Sequence, residues 1–160
     1  MFTKTVAWAC FGAAGSILLS ACASPAPDAG NVERIIYMAA VEPKGGATTR
    51  QEPYPQTELP QGGGYVLNKP DKNDRWEVST YRWEPGTVVV YQGDKVTLEI
   101  IGINGAAHPL RIEGHDVKAM VRRGEITRVS FVAAKAGIFK IICDAHQPSM
   151  QADLVVLPRR

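Results

Sequence analysis

The sequence predicts an all-β domain, a Greek-key β-sandwich or barrel, on three observations. From Trp76 onward, short alternating or β-branched runs recur at close spacing; Gly and Pro turns divide them; and no amphipathic helical pattern interrupts them. With 160 residues, 45% hydrophobic and 21% charged, the chain can supply one ordinary domain plus extra length that need not fold. A formal net charge of +2 gives no reason to expect nucleic acid as a partner.

Residues 1–21 read as an export signal, with Lys4, the apolar stretch Val6 to Leu19 and the closing run Leu19-Ser20-Ala21-Cys22. The apolar run is too short for a membrane span and has no anchor on its far side. Its end resembles the bacterial lipobox, which implies that Cys22 becomes the acylated first residue; acyl chains would then hold the protein on the membrane. Ala23 stands where an inner-membrane retention aspartate would fall, so the expected location is the periplasmic face of the outer membrane. The alternative is an ordinary signal cleaved nearby, such as after Ala23, which leaves a soluble protein. Residues 22–31, rich in Ala, Pro, Ser, Asp and Gly, read as a flexible tether.

Residues 32–74 are expected to hold a first strand at Val32 to Val41 and then an irregular insertion. Pro43, Gly45-Gly46, Pro53, Pro55, Pro60, Gly62-Gly63-Gly64 and Pro70 break every regular pattern there, with Tyr65-Val66-Leu67 as one short strand inside it. The β domain is assigned to residues 75–158. Its strands are expected at Arg75 to Tyr81, Thr87 to Tyr91, Val96 to Ile100, His108 to Glu113, Val117 to Val121 and Ile126 to Ala133, then on both sides of a loop at 143–150.

That loop carries the chemistry. In Phe139-Lys140-Ile141-Ile142-Cys143 the residues Phe139, Ile141 and Cys143 share one face, so Cys143 ends a strand pointing inward. Cys10 leaves with the signal and Cys22 carries lipid, so Cys143 is a lone thiol in a compartment where thiols usually pair. An isolated Cys is most often a small buried hydrophobe. Here His146 and Met150 follow in Cys143-Asp144-Ala145-His146-Gln147-Pro148-Ser149-Met150, and a thiolate, an imidazole and a thioether together suit copper.

A further imidazole completes the set. His108, Leu110 and Ile112 share parity, which places His108 at the inward start of a strand, with Pro109 stiffening the chain near a sheet edge. Taken alone, His108 would be read as a strand-end histidine bonded to backbone. His115, in the turn Gly114-His115-Asp116, is read as a surface residue or one behind the ligands, and Met38 and Met120 as core fillers.

From about Trp76 to Pro158 the sequence resembles the cupredoxins, through Val90-Tyr91-Gln92-Gly93-Asp94-Lys95-Val96, His108-Pro109-Leu110-Arg111-Ile112, Ser130-Phe131, Ala136-Gly137-Ile138-Phe139 and the Cys143 loop. Within that family it looks closest to nitrosocyanin and to the copper domain of nitrous-oxide reductase. The latter holds two copper ions with two loop cysteines, whereas one cysteine here implies a single ion. Nitrosocyanin uses a glutamate where His108 stands and a second downstream histidine where only Met150 is available. These departures point to the His108, Cys143, His146 and Met150 set of blue copper proteins. Three residues separate His146 from Met150 where two or four are common in the family, so Gln147 or an open position is the alternative to Met150.

The resemblance implies a periplasmic mononuclear copper protein that carries single electrons rather than an enzyme. Its partners would be redox proteins of a respiratory or periplasmic chain, met at the His146 edge among Ala145, Pro148, Pro109 and Ala106. The alternatives are a nitrosocyanin-like catalytic or small-molecule-sensing site, or a copper carrier to an oxidase or reductase. Arg111, Lys118, Arg122, Arg123 and Arg128 could guide an acidic partner or simply form a solvated face.

Overall fold

The computed structural model describes residues 32–58 and 64–159. The expected signal and the whole of the expected tether, Cys22 included, lie outside the described residues. Within them the fold is all-β, and no helix is long and apolar enough to cross a membrane.

Two sheets face each other across the core. The first holds β10 (Ile126–Val132), β7 (Lys95–Gly102), β1 (Glu33–Val41) and β5 (Arg82–Glu84), in that order. The second holds β6 (Thr87–Tyr91), β12 (Gln151–Leu157), β11 (Gly137–Cys143), β8 (Ala107–Ile112) and β9 (Val117–Arg122). The chain crosses from one sheet to the other between β5 and β6, β6 and β7, β7 and β8, β9 and β10, and β10 and β11, as a Greek-key sandwich requires. β1 runs parallel to β7 from Glu33↔Lys95 to Ala40↔Gly102, and β6 runs parallel to β12.

Alternation decides what lies between the sheets. Val96, Leu98 and Ile100 of β7, Val88 and Val90 of β6, and Ala152, Leu154 and Val156 of β12 all point inward and are buried. Each large aliphatic side chain placed there contributes about 1.5–3 kcal/mol relative to exposure. Met38 joins this core as expected, but Met120 does not: it sits on the outward parity of β9 and is 42% exposed.

A third, small sheet accounts for much of residues 42–80. β4 (Arg75–Thr80) lies between β2 (Lys44–Thr48) and β3 (Tyr65–Asn68), antiparallel to both. Trp76 is buried in this layer, its indole N–H donating to the Glu52 carbonyl at 2.9 Å. A boundary at residue 75 therefore falls inside the small sheet, while β1, forty residues upstream of it in round terms, belongs to the sandwich. The stretch expected to be irregular supplies two of the three small-sheet strands, because Gly45, Gly46 and Pro70 flank or occupy edge strands, where they are tolerated.

Candidate metal centre

The ends of β11 and β8 meet at one end of the sandwich. Cys143 is the last residue of β11 and pairs with Leu110 of β8, which sets it two positions from His108 on the neighbouring strand. Cys143, His108 and Met150 are all fully buried, while His146 is partly exposed. The inward parity read for His108, Leu110 and Ile112 holds: all three are buried. Pro109 lies beyond the last β8–β11 pair, so its missing N–H interrupts no ladder bond there, although β9 and not β8 is the edge strand.

Three donor atoms converge. His108 Nδ1 is 3.1 Å from His146 Nδ1, Cys143 Sγ is 3.4 Å from His146 Nδ1, and the ligating atoms of all three residues lie within 4.8 Å of one another. The other His108 nitrogen, Nε2, is 2.7 Å from the Asn104 carbonyl oxygen. A carbonyl only accepts, so Nε2 carries the proton and Nδ1 of the neutral ring keeps its lone pair toward Cys143 and His146.

The electrostatics point the same way. Burial, then the neighbouring His108, holds the His146 imidazole below its ordinary pKa, with Glu42 pulling weakly against them; a neutral ring is one that can ligate. Burial pushes the Cys143 thiol up, while the backbone N–H groups of Ala145 and His146 favour the thiolate. A cation bound at the sulfur would offset the burial penalty outright.

The loop is braced from within and without. Cys143 N–H donates to the Met150 carbonyl at 3.0 Å and Met150 N–H to the His146 carbonyl at 2.9 Å, so the backbone closes on itself across the loop. The Gln147 amide nitrogen donates to the Cys143 carbonyl at 2.6 Å, and its oxygen accepts from Gln151, which commits both ends of that side chain to the loop. Asp144 N–H reaches the Pro109 carbonyl and the Asp144 carboxylate pairs with Arg111 at 2.8 Å, tying the loop to β8.

Four contributors were not singled out from sequence. Asn104 orients His108. Gly105, at φ +72°, passes so close that a Cβ would stand 2.7 Å from His108 Cε1. Tyr81, between β4 and β5, stacks on His146 with centroids 4.1 Å apart and planes 26° apart. Ser149 donates its hydroxyl toward the carbonyls of Gly64, at 2.7 Å, and Tyr81, at 3.0 Å. The Asn104-Gly105 dipeptide is a turn signal four residues before His108 and could have been noticed; Tyr81 carries no local signal. His115 sits beyond the other end of β8, packed edge-on against Phe131 and Phe139.

No protein-family model matches the sequence. Nor does any curated protein. Among solved structures the chain is similar to a copper nitrite reductase from Nitrosomonas europaea, with a TM-score of 0.52, 15% identity, and coverage of 79% of this chain and 42% of that one. It is also similar to a multi-copper oxidase from Pseudomonas thermotolerans, with a TM-score of 0.52, 16% identity, and coverage of 82% and 31%. The blue copper protein auracyanin A from Chloroflexus aurantiacus matches at a TM-score of 0.40 and 18% identity, over 47% of this chain and 88% of that one. The chain thus spans less than half the length of the reductase and the oxidase. At such identities likeness speaks for architecture alone, and together with the strand order it establishes a cupredoxin-like fold.

Proposed function

We propose that His108 Nδ1, Cys143 Sγ and His146 Nδ1 hold one copper ion, with the Met150 thioether as a weak fourth donor, and that the protein carries single electrons in the cell envelope. One observation carries this reading: two segments far apart in sequence bring two imidazole nitrogens and a thiol together within 4.8 Å. An ion about 2 Å from nitrogen and about 2.3 Å from sulfur needs donors roughly 3–4 Å apart, which the 3.1 and 3.4 Å separations meet. The donor set of soft sulfur with imidazole suits copper better than zinc, for which a thioether is a poor ligand.

Copper would supply the reversible one-electron couple. The chain's own residues do the rest. Strand ends fix His108 and Cys143, the backbone bonds of the loop fix His146 and Met150, and the Asn104 carbonyl sets the His108 tautomer. Ala145 and Pro148 are exposed beside His146, offering a small apolar docking patch for a redox partner that binds and leaves quickly. The cell-envelope location, the lipid on Cys22 and the partner class rest on the sequence alone.

The visible and electron-paramagnetic-resonance spectra of the oxidised, copper-loaded protein test the reading. An intense thiolate-to-copper band with one copper per chain is expected; a site that binds copper without that band would sink the type 1 assignment. The nitrosocyanin-like alternative predicts that azide or nitric oxide alters the spectrum without loss of copper, and the copper-carrier alternative predicts that a chelator removes the metal within minutes.

A further inference from the structure

The ends of the small sheet reach the proposed metal loop through two residues, Gly64 just before β3 and Tyr81 just after β4. Tyr81 lays its ring on His146. The Ser149 hydroxyl is held between the Gly64 and Tyr81 carbonyls, and Tyr81 N–H donates to the Gly64 carbonyl at 3.0 Å, so the entry to β3, the β4–β5 link and the loop are stitched at one spot. Gly64 is buried and presses so closely that a Cβ there would stand 2.1 Å from Ser149 Oγ and 2.7 Å from the His146 carbonyl oxygen. Toward the outer side of Tyr81 lies the Glu42 carboxylate, which accepts from Ser79 Oγ at 2.9 Å and pairs with Lys44 at 3.1 Å.

His146 needs such support more than His108 does. The His108 ring lies in the core, held by a strand and by the Asn104 carbonyl. His146 lies on a loop, is partly exposed, and its bonded ring nitrogen is the one that faces the other donors. An imidazole on a loop has two free torsions, and a flat partner whose backbone is bonded to Gly64 and Ser149 hinders the rotation that would swing Nδ1 away.

We infer that Tyr81 is a positioning residue for His146: the small sheet acts as a clamp that holds the imidazole in its ligating orientation and slows metal loss. This deepens the reading of the site given above and rests on it for the metal, though not for the ring. Phe keeps the stacked face and loses only the hydroxyl, so the aromatic plane is the working part and the hydroxyl the lesser one.

The test uses the whole chain with Tyr81→Leu, Tyr81→Phe and Ser149→Ala. In the metal-free protein, relaxation of the 13C- and 15N-labelled His146 ring reports its motion. Tyr81→Leu should release the ring on the nanosecond scale while His108 stays ordered, and Tyr81→Phe should keep near-native order. In the copper-loaded protein, Tyr81→Leu should lose metal to a chelator at least tenfold faster and shift the electron-paramagnetic-resonance parameters, with Tyr81→Phe within about threefold of wild type. Ser149→Ala, which removes the bonds that tie the loop to the Gly64 and Tyr81 carbonyls and so loosens the stack, should fall between them and serves if Tyr81→Leu does not fold. Native ring order and native release in Tyr81→Leu and Ser149→Ala would overturn the inference. Should the wild type take up no copper, the metal reading fails separately, and the ring order of the metal-free variants alone decides for or against the clamp.

Discussion

Asp94 and His108 are the two fully buried polar side chains among the described residues, and they lie at opposite ends of the sandwich. Asp94 occupies the β6–β7 turn, where Tyr91 pairs with Leu157 at the far end of β12; His108 lies beside Cys143, near the start of β12. The chain answers the first burial itself. Asp94 accepts from the Tyr91 N–H at 3.0 Å and pairs with Arg34 and Arg159, so an anion meets cations of its own chain. At the other end, the bonds of the imidazoles run to each other, to Cys143 and to a carbonyl. One end is electrically complete; the other gathers lone pairs around a point and calls for a cation from outside.

The largest effects would break that contrast. Cys143→Ala should abolish the thiolate-to-copper band, yet cost only about 1 kcal/mol of stability, the scale of a small core truncation; a matched pair of visible spectra and thermal melts checks both halves. Asp94→Ala should do the reverse. It leaves Arg34 and Arg159 without their shared buried partner and should cost about 3 kcal/mol in urea unfolding, while copper stoichiometry stays unchanged.

The same end sets an acid limit. Burial alone would raise the Asp94 carboxyl, but the Tyr91 N–H, Arg34 and Arg159 outweigh it and hold it below the ordinary carboxylate value. A depressed folded pKa means that the unfolded chain takes up the proton first. The contribution is therefore complete above about pH 5 and is lost progressively as pH falls below about 4 and through the depressed folded value. In Asp94→Asn that part of the acid dependence should vanish from a series of unfolding curves.

Smaller changes sharpen the site end. Gly105→Ala places a side chain in left-handed backbone against the His108 ring, and should cost about 1–2 kcal/mol and weaken copper binding. Calorimetric copper titration measures the second effect; unchanged affinity would mean that the ring has room to yield. His115→Ala should matter least, removing an edge contact to Phe131 and Phe139 for about 1 kcal/mol with one copper per chain retained.

How much of this was legible in the sequence follows from how local each feature is. The strands from Thr87 to Leu157 carry their own parity, so β6 to β12 fall where alternation placed them, and His108 and Cys143 could be set facing inward. The parallel pairing of β1 with β7 joins segments some sixty residues apart and leaves no local trace. β3 is legible as the short Tyr65-Val66-Leu67 run, whereas β2, with Gly45-Gly46, looks like a break until β4 pairs with it. Tyr81 and Ser149 belong with these, since each matters through a contact made across the fold.

The direction of β1 has a practical outcome. Its first residues lie beside Lys95 and its last beside Gly102, so the chain is fed into the domain at the Asp94 end and advances toward the proposed copper ligands, about 25 Å away at the usual rise of a strand. Anything joined ahead of Val32, whether a leash, a fusion partner or an affinity handle, is attached at the back of the molecule. The end that carries His146 is left clear.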